Sequence, residues 1–135
     1  MSADRYSEVI AELRDPTRRL RQAIPETWRG FAHLHDAAMA QGALSPAIKE
    51  LMALVIAVVK RCDGCIAYHA HAAARLGASE SEVAEALGVA LLMDGGTASV
   101  YGPRALQAFR EFADTDGRPQ PVEASISEGP VRART

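Results

Sequence analysis

Aromatic side chains make up only 5% of these 135 residues, and no stretch alternates apolar with polar positions long enough to form a strand. Sheet architectures are therefore disfavoured. Charge of one sign is missing too: 15 Lys and Arg against 17 Asp and Glu leave a formal charge of −2. That balance gives no net attraction for phosphate backbones or anionic lipid, so neither nucleic acid nor membrane is expected as a partner. Long hydrophobic runs are absent as well. The strongest, residues 51–59, falls well short of the roughly 18 to 20 residues that span a bilayer, and residues 1–6 lack a signal-peptide apolar segment. The expected location is the cytoplasm. Cysteine is scarce, with two residues only three positions apart, and a disulfide between them would close a loop too small to stabilise a secreted domain. Such a pair suits chemistry better than architecture.

What the sequence does have is 48% hydrophobic residues, enough for one core at this length, and an abundance of Ala, Leu, Glu and Arg that favours helix throughout. The expected fold is all-α. Tyr6, Val9, Ile10 and Leu13 form one helical stripe, ending before Pro16. Pro25 opens a second helix, to about residue 41, whose face of Trp28, Phe31, Ala32 and His35 should join the core. Ser45 and Pro46 are the N-cap and first position of a third, reading 47–60. Its apolar run has no polar side, so it must be covered all round, by this domain or by another subunit. Asp63 and Gly64 can cap a fourth helix over 65–76, ended by Gly77 in a left-handed position. Ser79 and Glu82 form a capping box for a fifth, through Val83, Leu87, Ala90, Leu91 and Met93, stopped at Gly95 and Gly96. A sixth runs over 97–113, bent or restarted at Gly102 and Pro103. Residues 1–113 thus read as one domain. Residues 114–135 read as a tail, disordered or packed on a partner subunit.

Chemistry concentrates at Cys62-Asp63-Gly64-Cys65 and His69. On a helix, Cys62, Cys65 and His69 fall at i, i+3 and i+7 on one face. A thiolate is the nucleophile, a nearby base or cation favours it, and a second thiol captures the oxidised product. Lys60 and Arg61 add positive charge. Two effects compete over which sulfur attacks: the helix N-terminus favours thiolate at Cys62, and His69, one turn beyond Cys65, favours proton abstraction there. Residue chemistry alone leaves the order open. Zinc is the competing reading, but His69 and His71 point about 200° apart on a helix and cannot both join the cysteine face. His71, His33 and His35 read as structural, and Met39, Met52 and Met93 as core fillers. Arg14, Arg18, Arg19 and Arg21 read as a solvated face. Tyr68 and Tyr101 are candidates to line a pocket.

Glu50, the apolar helix, the run Cys62-Asp63-Gly64-Cys65-Ile66-Ala67-Tyr68-His69, the helix Val83-Ala84-Glu85-Ala86-Leu87-Gly88-Val89-Ala90, and Gly95-Gly96 together resemble the alkylhydroperoxidase D-like branch of the carboxymuconolactone decarboxylase superfamily. The resemblance spans about residues 25–113. It implies an all-helical, homo-oligomeric protein, a trimer or hexamer. It also implies that Cys65 is the peroxidatic sulfur, Cys62 the resolving one, and that Glu50 and His69 relay the proton from Cys65 through water. The implied activity is a peroxidase or disulfide oxidoreductase acting on hydrogen peroxide or an organic hydroperoxide. An external dithiol or thiol protein would be the reductant, and no metal or other cofactor is implied. Gly64 stands where the best-known peroxidase members carry a further histidine, which makes a redox adaptor or sensor with little peroxidase activity the alternative. The decarboxylase members lack the cysteine pair. Spacing by itself does not join Glu50 to His69. In a straight hairpin turning between the cysteines, they are offset by about 12 Å along the axis.

Overall fold

The structure is a computed structural model that describes residues 4–115. Six helices follow one another: α1 (Arg5–Ala23), α2 (Pro25–Met39), α3 (Pro46–Lys60), α4 (Asp63–Arg75), α5 (Glu80–Asp94) and α6 (Gly96–Thr115). No strand occurs among the described residues, and the fold is all-α as the composition implied. No helix there is long and apolar enough to cross a membrane.

α4 is the central element, packed on α3, α6 and α1. Its buried face is Ile66, Ala67, Ala70, Ala73 and Ala74, four of them alanines, and such small side chains let neighbouring helices come close. Larger groups complete the same buried cluster: Leu54 and Val58 of α3, Phe109 and Phe112 of α6 and Tyr6 of α1, with Val83 and Leu87 from α5, which packs on α3 and α6. Each large apolar side chain buried in this way contributes about 1.5–3 kcal/mol.

Local signals set most helix ends. Ser45 Oγ accepts from Ile48 N with Pro46 in the first turn. Ser79 and Glu82 form the reciprocal capping box. Gly77, at φ 87°, ends α4 in the left-handed region.

Three expectations need correction, and one alternative closes. α1 runs through Pro16 instead of ending before it. The proline removes one N–H, but the surrounding turns are exposed, so water can serve the freed carbonyl. Of the bend or restart expected at Gly102 and Pro103, the restart does not occur, since α6 is one helix through Pro103. The fourth helix starts at Asp63, with Cys62 as its N-cap, so Asp63 and Gly64 lie inside the first turn. Finally, α2 buries none of its residues. Phe31 and Leu34 are well exposed, and Trp28 and Phe31 meet edge to face. α2 is tied to α3 at its end, where Lys49 Nζ donates to the carbonyls of Ala38 and Ala40 at 2.8 and 2.7 Å. The outer stripe of α3, Ile48, Met52, Ile56 and Val59, is exposed too, so the complete cover that its apolar run calls for is not supplied by the described residues. α6 extends to Thr115, and the remainder of the tail lies outside the described residues.

Candidate active site

The turn between α3 and α4 presents the cysteines. Arg61 ends α3 in the left-handed conformation, φ 54° and ψ 43°, with Arg61 N bonded to Val58 O and Cys62 N to Ala57 O. This double closure is a Schellman motif, here with arginine where glycine is usual. It delivers Cys62 as the N-cap of α4, its sulfur accepting from Cys65 N at 3.2 Å. A sulfur at a helix N-terminus meets unsatisfied N–H groups and the positive end of the helix dipole, both of which favour a thiolate. Cys62 and Cys65 form a disulfide, their Cα atoms 5.2 Å apart. Cys65 is exposed and Cys62 half-buried, so the pair is open to solvent on one side.

Glu50 and His69 meet: Glu50 Oε2 lies 2.7 Å from His69 Nδ1. The pairing closes the offset that spacing left open. Counted from the helix ends, Glu50 is ten residues before Lys60 and His69 six after Asp63. The difference of four residues is about 6 Å of rise, which two long side chains can span. Glu50 is 5% exposed, and its nearest polar partner is this imidazole. Because a carboxylate only accepts, Nδ1 carries the proton in the pair, and the neutral ring presents Nε2 as its acceptor. His69 stands one turn beyond Cys65 on the same face of α4, with Tyr68 exposed beside it.

The other candidates separate from this cluster. His71 stacks on Phe112, ring centroids 4.6 Å apart, on the core side. His33 and His35 lie on the exposed surface of α2. Arg14, Arg18, Arg19 and Arg21 are exposed. Among the described residues, no three His, Cys, Asp or Glu side chains are disposed to hold a metal ion. An apolar groove lies between α5 and α6, lined by Leu87, Leu91, Pro103 and Leu106 among others. Neither Tyr68 nor Tyr101 lines it, and Tyr101 instead lies under the Arg104 guanidinium.

Sequence reasoning passed over α1. Asp63 pairs with Arg5, and Gly64 abuts Leu13, so both residues between the cysteines face this helix. The stripe of Tyr6, Val9, Ile10 and Leu13 was the available signal, but a stripe does not say what it covers.

Comparison with known proteins bears on the whole of this arrangement. Residues 25–114 match the model of the carboxymuconolactone decarboxylase family. The chain belongs to the carboxymuconolactone decarboxylase family. A carboxymuconolactone decarboxylase family protein from Legionella pneumophila, solved in its apo form, superposes with a TM-score of 0.80 at 38% identity, over 82% of this chain and 98% of that one. A family member from Thermotoga maritima, for which a part in an antioxidative response has been suggested, superposes with a TM-score of 0.67 at 31% identity, over 78% and 92% of the two chains. An uncharacterized protein of Cupriavidus necator is 38% identical over 90 residues, 67% of this chain and 80% of its own length. Family membership together with the Cys62–Cys65 pair is compatible with an alkylhydroperoxidase D-like role. The matched segment holds Glu50, both cysteines and His69, and α1 precedes it.

Proposed function

We propose that this family member reduces hydroperoxides through a dithiol–disulfide cycle at Cys62 and Cys65. The observation that carries the reading is the buried Glu50 in contact with His69, one helical turn from an exposed Cys65 that is already paired with a second sulfur. His69, oriented by Glu50, accepts the Cys65 proton directly or through one water. The thiolate attacks the distal oxygen of the hydroperoxide and the O–O bond breaks. Cys65 becomes a sulfenic acid, and the leaving alkoxide, or hydroxide from hydrogen peroxide, takes the proton. The Cys62 thiol then attacks the Cys65 sulfur and expels water, forming the disulfide. A dithiol of an external reductant exchanges with that disulfide and returns both thiols. The sulfurs carry both electrons, so the cycle calls for no metal or other cofactor.

One observation favours a second reading, a redox adaptor or sensor that exchanges disulfides with another protein and consumes little peroxide. Cys65 lies on the exposed surface, accessible to a macromolecule, while the α5–α6 groove is formed by other residues. Steady-state peroxide consumption with a supplied dithiol separates the two. The peroxidase reading expects turnover that Cys65→Ser abolishes and His69→Ala lowers about 100-fold or more, the usual worth of a positioned base. A disulfide that cycles with dithiol while peroxide falls only at the background rate selects the adaptor.

A further inference from the structure

The two residues between the cysteines are both held by α1. Asp63 Oδ2 lies 3.4 Å from Arg5 Nη2, and Asp63 Oδ1 is fully buried with no hydrogen-bond partner among the described residues. A β-carbon at Gly64 would come within 3.0 Å of Leu13 Cδ1. Beside Arg5, the Tyr6 side chain is 1% exposed, and its hydroxyl also has no partner. Burial, and then the Asp63 carboxylate, push the Tyr6 phenol up from its ordinary pKa. The other charges acting on this phenol are Arg5 on α1, and Arg104 and Glu111 on α6. A carboxylate adjacent in sequence to Cys62, left to turn toward the sulfurs, would oppose thiolate formation, because like charges in a partly desolvated site repel. In this structure it is drawn into the α1 interface.

We infer that Arg5 is a positioning residue of the dithiol: it holds the Asp63 carboxylate against α1 and so keeps the thiols acidic enough to react at neutral pH. The inference rests on the redox reading of the cysteine pair and adds an element ahead of the matched family segment. It acts through Asp63 and touches neither sulfur nor peroxide. Arg5 supplies the countercharge that draws the carboxylate to α1.

The test measures thiol acidity in the reduced full chain, from the pH dependence of iodoacetamide alkylation read cysteine by cysteine by mass spectrometry. It compares the parent with Arg5→Gln, Arg5→Lys and Asp63→Asn, and with Arg5→Gln placed in the Asp63→Asn background. Arg5→Gln should raise the lower thiol pKa by about half a unit and slow alkylation at neutral pH about threefold. Arg5→Lys should restore most of the parent value, and Asp63→Asn should lower it. With asparagine at 63, the Arg5→Gln shift should fall to less than half. Shifts of equal size in both backgrounds, or no shift in any variant whose helical circular dichroism matches the parent, would overturn the inference. The readout uses no peroxide. Failure of peroxide turnover with these shifts present would therefore count against the peroxidase reading alone, and turnover without the shifts against this inference alone.

Discussion

Glu111 offers a quantitative test of how α1 is fastened to the rest of the fold. Its carboxylate, 7% exposed near the end of α6, accepts through Oε1 from Tyr6 N and Ser7 N, each at 3.0 Å. These are N–H groups of the first turn of α1, which the Asp4 side chain does not cap. A side chain from a helix far along the sequence therefore supplies the N-terminal cap, and its negative charge faces the positive end of the α1 dipole. Hydrogen bonds to a charged group contribute about 1.5–3 kcal/mol each, and here the buried, unpartnered Oε2 offsets part of that gain. Glu111→Gln keeps one carbonyl acceptor for the two donors and loses only the charge, so it should cost about 1 kcal/mol. Glu111→Ala leaves two N–H groups without an acceptor and opens a gap, and should cost about 3 kcal/mol of a total of roughly 5–15 kcal/mol. Urea denaturation should show the alanine midpoint lowered by on the order of 1–2 M. Amide exchange should show protection lost first in α1. Both variants unfolding within about 0.5 kcal/mol of the parent, or protection falling evenly over all six helices, would refute this account of the cap.

Other consequences follow from particular residues. The Tyr6 pKa is raised by burial and by Asp63, so the unfolded chain releases that proton first. Its contribution to stability is intact below pH 10.0, the ordinary value, and is lost as pH rises through the folded value. Denaturant melts at stepped alkaline pH should show the parent losing stability faster than Tyr6→Phe. Arg61→Gly, which relieves a left-handed residue at the turn before Cys62, should raise the urea-derived stability by up to about 1 kcal/mol and leave the disulfide in place. Ala70→Leu should cost about 1–3 kcal/mol or more by thermal melting, because Ala70 is 0% exposed on the face that α4 buries.

Helices with a local start or stop signal were legible in the sequence. Ser45-Pro46, the Ser79 and Glu82 box and Gly77 each act within one turn of themselves, and each helix end falls within two residues of its signal. Proline misled at Pro16, because one missing N–H does not end a helix whose other turns hold. The apolar face of α2 was legible as a face but not as exposed, since periodicity records that a side wants cover and not what provides it. The site divides the same way. Cys62, Cys65 and His69 lie within eight residues on one helix and its cap, so their proximity follows from helical geometry. The contact of Glu50 with His69 depends on how α3 and α4 meet, and the covering of Asp63 and Gly64 by α1 joins segments more than fifty positions apart. Such long-range meetings are set by packing of the whole core and leave no local mark.

The central claim, that Cys65 receives the peroxide oxygen and Cys62 resolves it, is tested most directly by a single pulse of hydrogen peroxide followed by dimedone trapping in Cys62→Ser and Cys65→Ser, with the adduct located by mass spectrometry. The account predicts a trapped sulfenic acid on Cys65 in the first variant and none in the second. An adduct on Cys62 in the second with none on Cys65 in the first would reverse the assignment in favour of the N-cap sulfur. No adduct in either would contradict peroxide reduction at this dithiol.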